Sequence, residues 1–273
     1  MVDGKRVAVV VPAHDEERLI ATTLAGIPEF VDRILVVDDA STDATAERVR
    51  ATTDDRIRLV GRERNGGVGA AIVTGYRVAL DEGIDVTCVM AADNQMDPSD
   101  LLTLVEPVAR GEVDYAKANR LVSGEAWRLI PRTRYLGNAV LSLLTKIASG
   151  YWHVADSQTG YTAISRELLA QLDLDRIYRG YGFPNDMLVH LNVWNARVRD
   201  FPSRPIYGVG EDSLGLLMTL AGLVLGTVEV VLRLMGNEIT TPTIVLVALL
   251  LISGSQFTLF AMWFDMESNK DLR

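Results

Sequence analysis

Short apolar runs alternate with helical patterns in the first third of this chain, and this alternation constrains the fold more than any other feature. The apolar runs lie at residues 7–11, 33–37, 57–60 and 86–92, and the helical patterns between them at 18–27, 45–50 and 70–80. Such short runs, rich in β-branched residues, are typical of buried parallel strands. The repeated strand–helix order predicts a doubly wound α/β domain.

Polar or glycine-rich residues follow each of these strands. They lie at 12–17, 38–43, 65–69 and 93–97. The carboxyl ends of parallel strands meet at one edge of an open sheet, and ligands bind just beyond that edge. The sequence therefore predicts that these polar residues lie together along this edge, where a ligand would bind.

The exit of the fourth strand allows two interpretations. Asp93 and Gln95, two residues apart, offer the oxygen ligands that a hard divalent cation prefers. Alternatively, the stretch is a polar turn that caps a helix, with Asp97 or Ser99 as N-cap and Pro98 in the first turn. These ten residues alone do not choose between the two.

The glycine-rich stretch after the third strand is also open to two interpretations. Gly66, Gly67 and Gly69 precede a helix, but their spacing and position differ from the dinucleotide-binding G-x-G-x-x-G fingerprint. Backbone N–H groups at a helix N-terminus suit a diphosphate or a ribose. The alternative is a turn whose glycines permit close packing.

The middle of the chain is less regular. Its patterns predict helices at 101–110, 136–148 and 187–195 and strands at 114–118 and 197–201.

The composition changes abruptly after Asp212. Residues 214–235 are apolar apart from one Glu and one Arg, and residues 243–264 carry no charge. Each segment reaches the roughly 20 residues that a bilayer-spanning helix needs. We therefore predict a catalytic domain at 1–211 and a transmembrane hairpin with a short tail at 212–273; the alternative is two buried helices of a soluble protein.

Charges around this hairpin predict its orientation. The turn between the two segments contains no Lys or Arg, whereas basic residues flank the hairpin at Arg197, Arg199, Arg204, Lys270 and Arg273. Basic loops tend to stay cytoplasmic, which places the catalytic domain and the C-terminus of a two-helix membrane protein in the cytoplasm. A formal net charge of −9 argues against a broad nucleic-acid-binding surface. The single cysteine, Cys88, excludes a disulfide within the chain.

Five stretches together resemble the family 2 inverting glycosyltransferases with a GT-A fold, and more closely the polyprenyl-phosphate sugar transferases typified by dolichol-phosphate mannose synthase. They are residues 11–17, 36–43, 65–71, 92–98 and 156–161, in the family's order, within a match that covers about residues 5–211. The resemblance implies a membrane-bound enzyme that transfers a sugar with inversion at its anomeric carbon. Mannose and glucose are the sugars expected first. The donor would be GDP-mannose or a UDP-sugar. The acceptor would be a dolichyl or undecaprenyl phosphate in the membrane lipid.

The resemblance also implies roles for individual residues. Asp93 and Gln95 would hold Mg²⁺ or Mn²⁺ against the donor diphosphate. The nucleotide would be bound by Pro12, Ala13, His14, Glu16, Val37, Asp39, Gly67 and Gly69. Donor and acceptor phosphates would be neutralised by Arg120, Arg132, Arg134 and Arg204, with Asp156 and Asp186 near the acceptor. For Arg132 and Arg134 the alternative is a solvent-exposed surface role.

The chain departs from the family pattern at three positions. Ala91 replaces the first carboxylate of the usual Asp-x-Asp, Val68 stands where a Lys is common, and Thr162 where a basic residue is common. Two other functions stay open. One is a glycosyltransferase with another lipid or glycan acceptor, although a Q-x-x-R-W-type motif is missing. The other is a non-catalytic GT-A membrane scaffold, which Ala91 supports.

Overall fold

A computed structural model describes residues 1–121 and 142–203, together with Leu225 and Val228. The strands in these ranges are β1 (Val7–Ala13), β2 (Arg33–Asp38), β3 (Ile57–Gly61), β4 (Val86–Val89), β5 (Tyr115–Asn119), β6 (Thr162–Ser165) and β7 (Val198–Pro202). The helices are α1 (Ile20–Gly26), α2 (Thr45–Ala51), α3 (Val68–Asp81), α4 (Leu101–Ala109), α5 (helical at residues 142–149), α6 (Arg166–Leu169) and α7 (Phe183–Val193). A 3₁₀ turn, Pro98–Asp100, precedes α4.

The described strands form one mixed sheet in the order β3-β2-β1-β4-β6-β5-β7. Strands β1 to β4 pair in parallel with one another, as the strand–helix alternation predicts. Strand β6 runs antiparallel to both of its neighbours, β4 and β5, while β5 and β7 are parallel. The reversal of β6 has a consequence for the site. Its amino end, and the loop that leads into it, lie at the same edge as the carboxyl ends of β1, β2, β4 and β5.

Two apolar layers cover the two faces of the sheet. Because side chains alternate along a strand, Val9 and Val11 of β1 face one layer with α1 and α4, and Val10 faces the other with α3 and α7. Helix α3 lies very close to β1, since a Cβ at Gly75 would be 2.3 Å from the Val10 side chain. This α/β/α packing fixes the position of the central strands. It therefore also fixes their carboxyl ends, which carry the polar residues.

Several predicted boundaries were wrong, two of them by three residues or more. The fourth strand ends at Val89 rather than Ala92, because Val89 is the last residue that pairs with β6. The chain nevertheless stays buried at Met90 and Ala92. Helix α7 begins at Phe183, four residues before the predicted start at 187, with Pro184 in its first turn. Proline suits that position because the first turn needs no N–H donor.

The predicted membrane hairpin lies almost wholly outside the described residues. Among the residues that are described, no helix is both long enough and apolar enough to cross a bilayer. The division of the chain at 211 and 212 therefore stays a prediction.

Candidate active site

A tight turn follows β4 and presents Asp93. Asn94 adopts a left-handed conformation with φ of 57°, which Asn tolerates better than most residues. The Asp93 carboxylate accepts the N–H of Gln95 at 3.0 Å. The backbone of this turn therefore orients the carboxylate that the sequence singled out.

Three contacts hold the turn in place. The Thr23 hydroxyl of α1 donates to the Ala92 carbonyl at 2.8 Å, and the Tyr161 hydroxyl donates to the Asp97 carbonyl at 2.9 Å. The Asp97 carboxylate caps the following turn by accepting the N–H of Ser99 at 2.9 Å. The structure confirms the capping interpretation, and the cation interpretation of Asp93 and Gln95 stays a prediction. Asp97 and Pro98 start the next element, and Asp93 lies before it as a separate group.

Burial makes the Asp93 carboxyl group costly to ionise in the absence of a cation. Burial raises the pKa of this carboxyl group, against the opposing effects of nearby backbone N–H groups and the Arg120 charge. A partly desolvated carboxylate gains more than an exposed one from a nearby cation. In the described ranges, no group of three or more His, Cys, Asp or Glu side chains could hold a metal ion alone. Further oxygens for a cation at Asp93 would come from a bound diphosphate, which is how Mg²⁺ is commonly held.

A buried ion pair lies at the end of the neighbouring part of the sheet. Arg120 follows β5, and its Nε and Nη2 donate to the two Asp156 carboxylate oxygens at 2.8 and 3.2 Å. The Asp156 side chain has no exposed surface, whereas a quarter of the Arg120 side chain is exposed. Burial alone would raise the Asp156 pKa, but the charges of Arg120 and Lys117 hold it below its usual value. Asp156 thus stays ionised and orients Arg120.

The loops after β1 and β2 bind each other closely. The Asp39 N–H donates to the Ala13 carbonyl at 2.8 Å, and the Glu16 N–H donates to the Thr45 hydroxyl at 2.7 Å. The structure thus brings the nucleotide-binding candidates of both loops together. His14 Nδ1 is buried, and no hydrogen-bond partner for it occurs in the described structure. A buried polar atom of this kind indicates a missing partner, such as a ligand.

The Asp39 carboxylate is already engaged within the chain. It pairs with the Arg62 guanidinium and accepts the N–H groups of Gly66 at 3.1 Å and Gly67 at 2.8 Å. The amides that could cradle a diphosphate at the start of α3 therefore face an internal carboxylate. Arg62 was not singled out from the sequence, because its partner lies 23 residues away on another strand exit.

The glycines of this turn lie against another backbone segment. A Cβ at Gly67 would be 2.7 Å from the Arg179 carbonyl oxygen, and a Cβ at Gly69 would be 2.4 Å from that of Tyr178. The Ala70 N–H donates to the Arg179 carbonyl at 3.1 Å. These contacts support the close-packing alternative, and nucleotide binding by Gly67 and Gly69 stays a prediction.

Replacing Gly69 by alanine is expected to destabilise the protein by about 1–3 kcal/mol, because the new methyl group must displace the backbone at Tyr178. Chemical denaturation of the full chain measures this loss. Gly61→Ala is the matched control, since no atom lies within 4 Å of the added Cβ. Equal stabilities of the two variants would contradict the packing account.

Several predicted site residues are buried, lie outside the described residues or have a structural contact instead. Pro12 is buried, and Val37 is 0% exposed within the core, so no Val37 surface faces a ligand in this arrangement. Arg132, Arg134 and Arg204 lie outside the described residues. The Asp186 carboxylate accepts the Tyr178 N–H at 2.7 Å and pairs with His190, so it braces the segment that packs on the glycine turn.

Two charged residues near the ion pair were missed from the sequence. Lys117 lies in the middle of β5 with no exposed surface, and Asp200 lies in β7 with one carboxylate oxygen buried. A lysine inside the otherwise small and apolar run 115–118 was the available signal. A lysine buried within a strand is rare unless it is paired, so its position in the predicted strand indicates a buried partner.

Comparison with known proteins now identifies the fold. The family model described as glycosyl transferase family 2 matches residues 8–173, which is more than half of the chain. The chain belongs to glycosyl transferase family 2. It is a glycosyltransferase, and its described part has the GT-A, Rossmann-like α/β fold with a mixed sheet.

Family 2 relatives cover most of the chain. One is a UDP-N-acetylglucosamine–dolichyl-phosphate N-acetylglucosaminyltransferase from Methanococcus voltae, 26% identical over 74% of this chain and 86% of that protein. A second is an undecaprenyl-phosphate mannosyltransferase from Micrococcus luteus, 32% identical over 72% and 82%. A third is a polyprenol monophosphomannose synthase from Mycolicibacterium smegmatis, 29% identical over 70% and 72%.

Solved structures support the family 2 fold. Glucosyl-3-phosphoglycerate synthase from Mycobacterium tuberculosis, in complex with Mn²⁺, UDP-glucose and glycerol 3-phosphate, has a TM-score of 0.58 and 24% identity, covering 82% of this chain and 80% of that one. At this identity the likeness shows the fold alone.

Proposed function

We propose that this glycosyltransferase moves a sugar from a nucleotide sugar to a polyprenyl phosphate, with inversion at the anomeric carbon. One observation carries the proposal: a partly buried carboxylate, Asp93, and an oriented guanidinium, Arg120, lie at the same edge of the sheet, where the Arg120 charge lowers the pKa of Asp93. The relatives that carry polyprenyl-phosphate substrates in their names support the acceptor class.

The donor would bind along the exits of β1, β2 and β4. His14 and Glu16 would face the base and ribose, and Asp93 with Gln95 would hold Mg²⁺ or Mn²⁺ at the diphosphate. When bound, such a cation stabilises the charge that develops on the departing nucleoside diphosphate. The contacts of Asp39 with Arg62 and the glycine amides would have to rearrange if Asp39 binds the nucleotide.

The acceptor chemistry needs positioning more than a strong base. A phosphate monoester carries about −1.5 to −2 charges at pH 7, so its oxygen is already a nucleophile. Arg120 would aim this phosphate at the anomeric carbon, helped by Arg132, Arg134 and Arg204. Asp156 is not suited to accept a proton, because Arg120 and Lys117 lower its pKa. It would act by orienting Arg120.

The apolar segments at 214–235 and 243–264 would form the proposed membrane hairpin, with the catalytic domain in the cytoplasm. A site close to the bilayer surface would meet a lipid phosphate without extracting the lipid from the membrane. The choice of mannose or glucose as the sugar, and of GDP or UDP as the carrier, belongs to the same proposal.

One experiment tests these points together. Sealed inside-out membrane vesicles containing the full chain are supplied with labelled GDP-mannose, UDP-glucose or UDP-N-acetylglucosamine and a polyprenyl phosphate. We expect an organic-extractable product from one donor, formed without detergent and lost when divalent cations are chelated. Vesicles without the protein are the control, and protein that resists an alkaline carbonate wash would support the hairpin.

Three results would contradict the proposal. Labelled product that stays in the aqueous phase, for example on added phosphoglyceric acid, would indicate a water-soluble acceptor. Failure of all three donors would favour the scaffold alternative. Product that forms only after detergent opens the vesicles would contradict the cytoplasmic placement, since nucleotide sugars do not cross the bilayer.

A further inference from the structure

A cluster of charged side chains adjoins the Arg120–Asp156 pair and has no role in the proposed transfer itself. Its members are Lys117 of β5 and Asp200 of β7, beside Asp156 on the loop that leads into β6. The side chains of Lys117 and Asp156 are inaccessible to solvent. Charges that are buried this deeply are costly unless they are paired and hydrogen-bonded. Their retention in a small space therefore calls for a physical reason.

The cluster holds the chain on both sides of Asp156. The Lys117 ammonium donates to the Thr159 carbonyl, three residues after Asp156. The Asp200 carboxylate accepts the Ala155 N–H at 2.6 Å, one residue before it. The Asn119 amide donates to the same carboxylate oxygen at 2.8 Å and so ties the end of β5 to β7. Asp156 is thus fixed between the buried Lys117 ammonium and the partly buried Asp200 carboxylate.

The charges of the cluster balance. Asp156, Asp200 and Arg120 all act on Lys117, the two carboxylates raising its pKa and Arg120 lowering it. Burial is the largest effect and lowers the pKa of Lys117 to about 8, while burial raises that of Asp200. If Lys117 lost its proton, the Asp156 and Asp200 carboxylates would lose the positive charge that acts on both of them. One of them would then tend to take up a proton.

We propose that Lys117 and Asp200 are positioning residues: Lys117 keeps Asp156 ionised, both residues hold its loop in place, and together they direct Arg120 at the acceptor. This inference rests on the proposed function, because the acceptor phosphate is the group that Arg120 would bind. Lys117 and Asp200 touch neither substrate nor cation in this account. They act through Asp156.

The first test is Lys117→Met in the full chain, since Met fills a similar volume without the charge. We expect the turnover number at neutral pH to fall about tenfold or more, while the KM for the nucleotide sugar changes less than about twofold. The wild type should lose activity as the pH rises through about 8, where Lys117 deprotonates. The variant should lack this alkaline limb.

Asp200→Asn gives a second test, in which the direction of a pH shift is predicted. This test does not require the Lys117→Met variant to fold. It removes a charge that raises the pKa of Lys117, so the alkaline limb should move to lower pH. A purely structural role would lower activity at every pH without moving the limb. The double variant restores the charge balance and should recover much of the turnover that Lys117→Met loses. Arg199→Gln, an exposed neighbour on β7 paired with Glu112, is the control with an unchanged profile.

Thermal stability supplies a readout without transfer activity. The pKa of Lys117 is lower in the folded chain than its ordinary 10.5, so between about 8 and 10.5 the unfolded chain binds more protons. Stability of the wild type relative to Lys117→Met should therefore rise with pH across that window.

The possible outcomes separate the two proposals. An active wild type whose alkaline limb persists unchanged in Lys117→Met, or does not move in Asp200→Asn, would overturn the positioning role alone. A donor KM that rises as much as turnover falls would overturn it as well. A wild type inactive with every donor would instead overturn the proposed function.

Discussion

Replacing Asp93 by asparagine is expected to reduce sugar transfer by about 10²–10³-fold, since a bound cation contributes several kcal/mol to the stabilisation of a departing diphosphate. Asparagine keeps an oxygen that can accept the Gln95 N–H, so the turn should survive. Burial raises the pKa of Asp93, and removing the charge should therefore leave the cation-free protein at least as stable as before. Turnover in membranes and the melting temperature without divalent cation measure the two effects.

Asp97→Asn is the matched control for this substitution. Asp97 lies four residues further along the same turn and caps the 3₁₀ turn, and asparagine caps a helix about as well as aspartate does. Its activity and stability should stay close to those of the wild type. If Asp93→Asn kept full activity, or if Asp97→Asn lost as much, the cation site would not be at Asp93.

Replacing Arg120 by methionine is expected to abolish transfer and also to destabilise the fold by about 3 kcal/mol, since removing one member of a buried ion pair leaves an uncompensated charge. The Asp156 side chain has no exposed surface, so its charge depends on the guanidinium rather than on solvent water. The loss of activity follows because methionine carries no charge to bind the acceptor phosphate. Denaturant unfolding and a donor titration in the same preparation separate the two effects.

Arg58→Met provides the comparison for Arg120→Met. The Arg58 side chain is 48% exposed and pairs with Glu82. Exposed ion pairs contribute about 0–1 kcal/mol, so this variant should unfold almost as the wild type does and remain active. An Arg120→Met protein that is as stable as Arg58→Met would contradict the buried-pair account.

Part of the site was predictable from short stretches of sequence. Asp93 follows an apolar strand by a few residues, and Asp97 precedes a proline, so local patterns place both at a strand exit and a helix start. The strand–helix alternation likewise predicted the parallel part of the sheet. These features depend on residues that are neighbours in the chain, and their geometry follows from backbone preferences and burial.

The partners of these residues were not predictable in the same way. Asp39 meets Arg62 and the glycine turn, and Arg120 meets Asp156 across 36 positions of the chain. A single sequence carries no sign of which distant charges will meet. The glycines illustrate the same limit, because the pattern allowed a phosphate cradle or close packing, and the contact with Arg179 became visible only in the fold.

Periodicity and motif order are properties of the chain alone, and they were enough to predict the class of fold, the sheet edge that carries the polar residues and the family. The antiparallel direction of β6, which returns the Asp156 loop to that edge, became visible only in the fold, as did the positions of Lys117 and Asp200 beside that loop. The physical reason is that an ion pair or a buried charge gains its energy from the dielectric environment and from groups that folding brings together. Neither is defined until the sheet has formed around them.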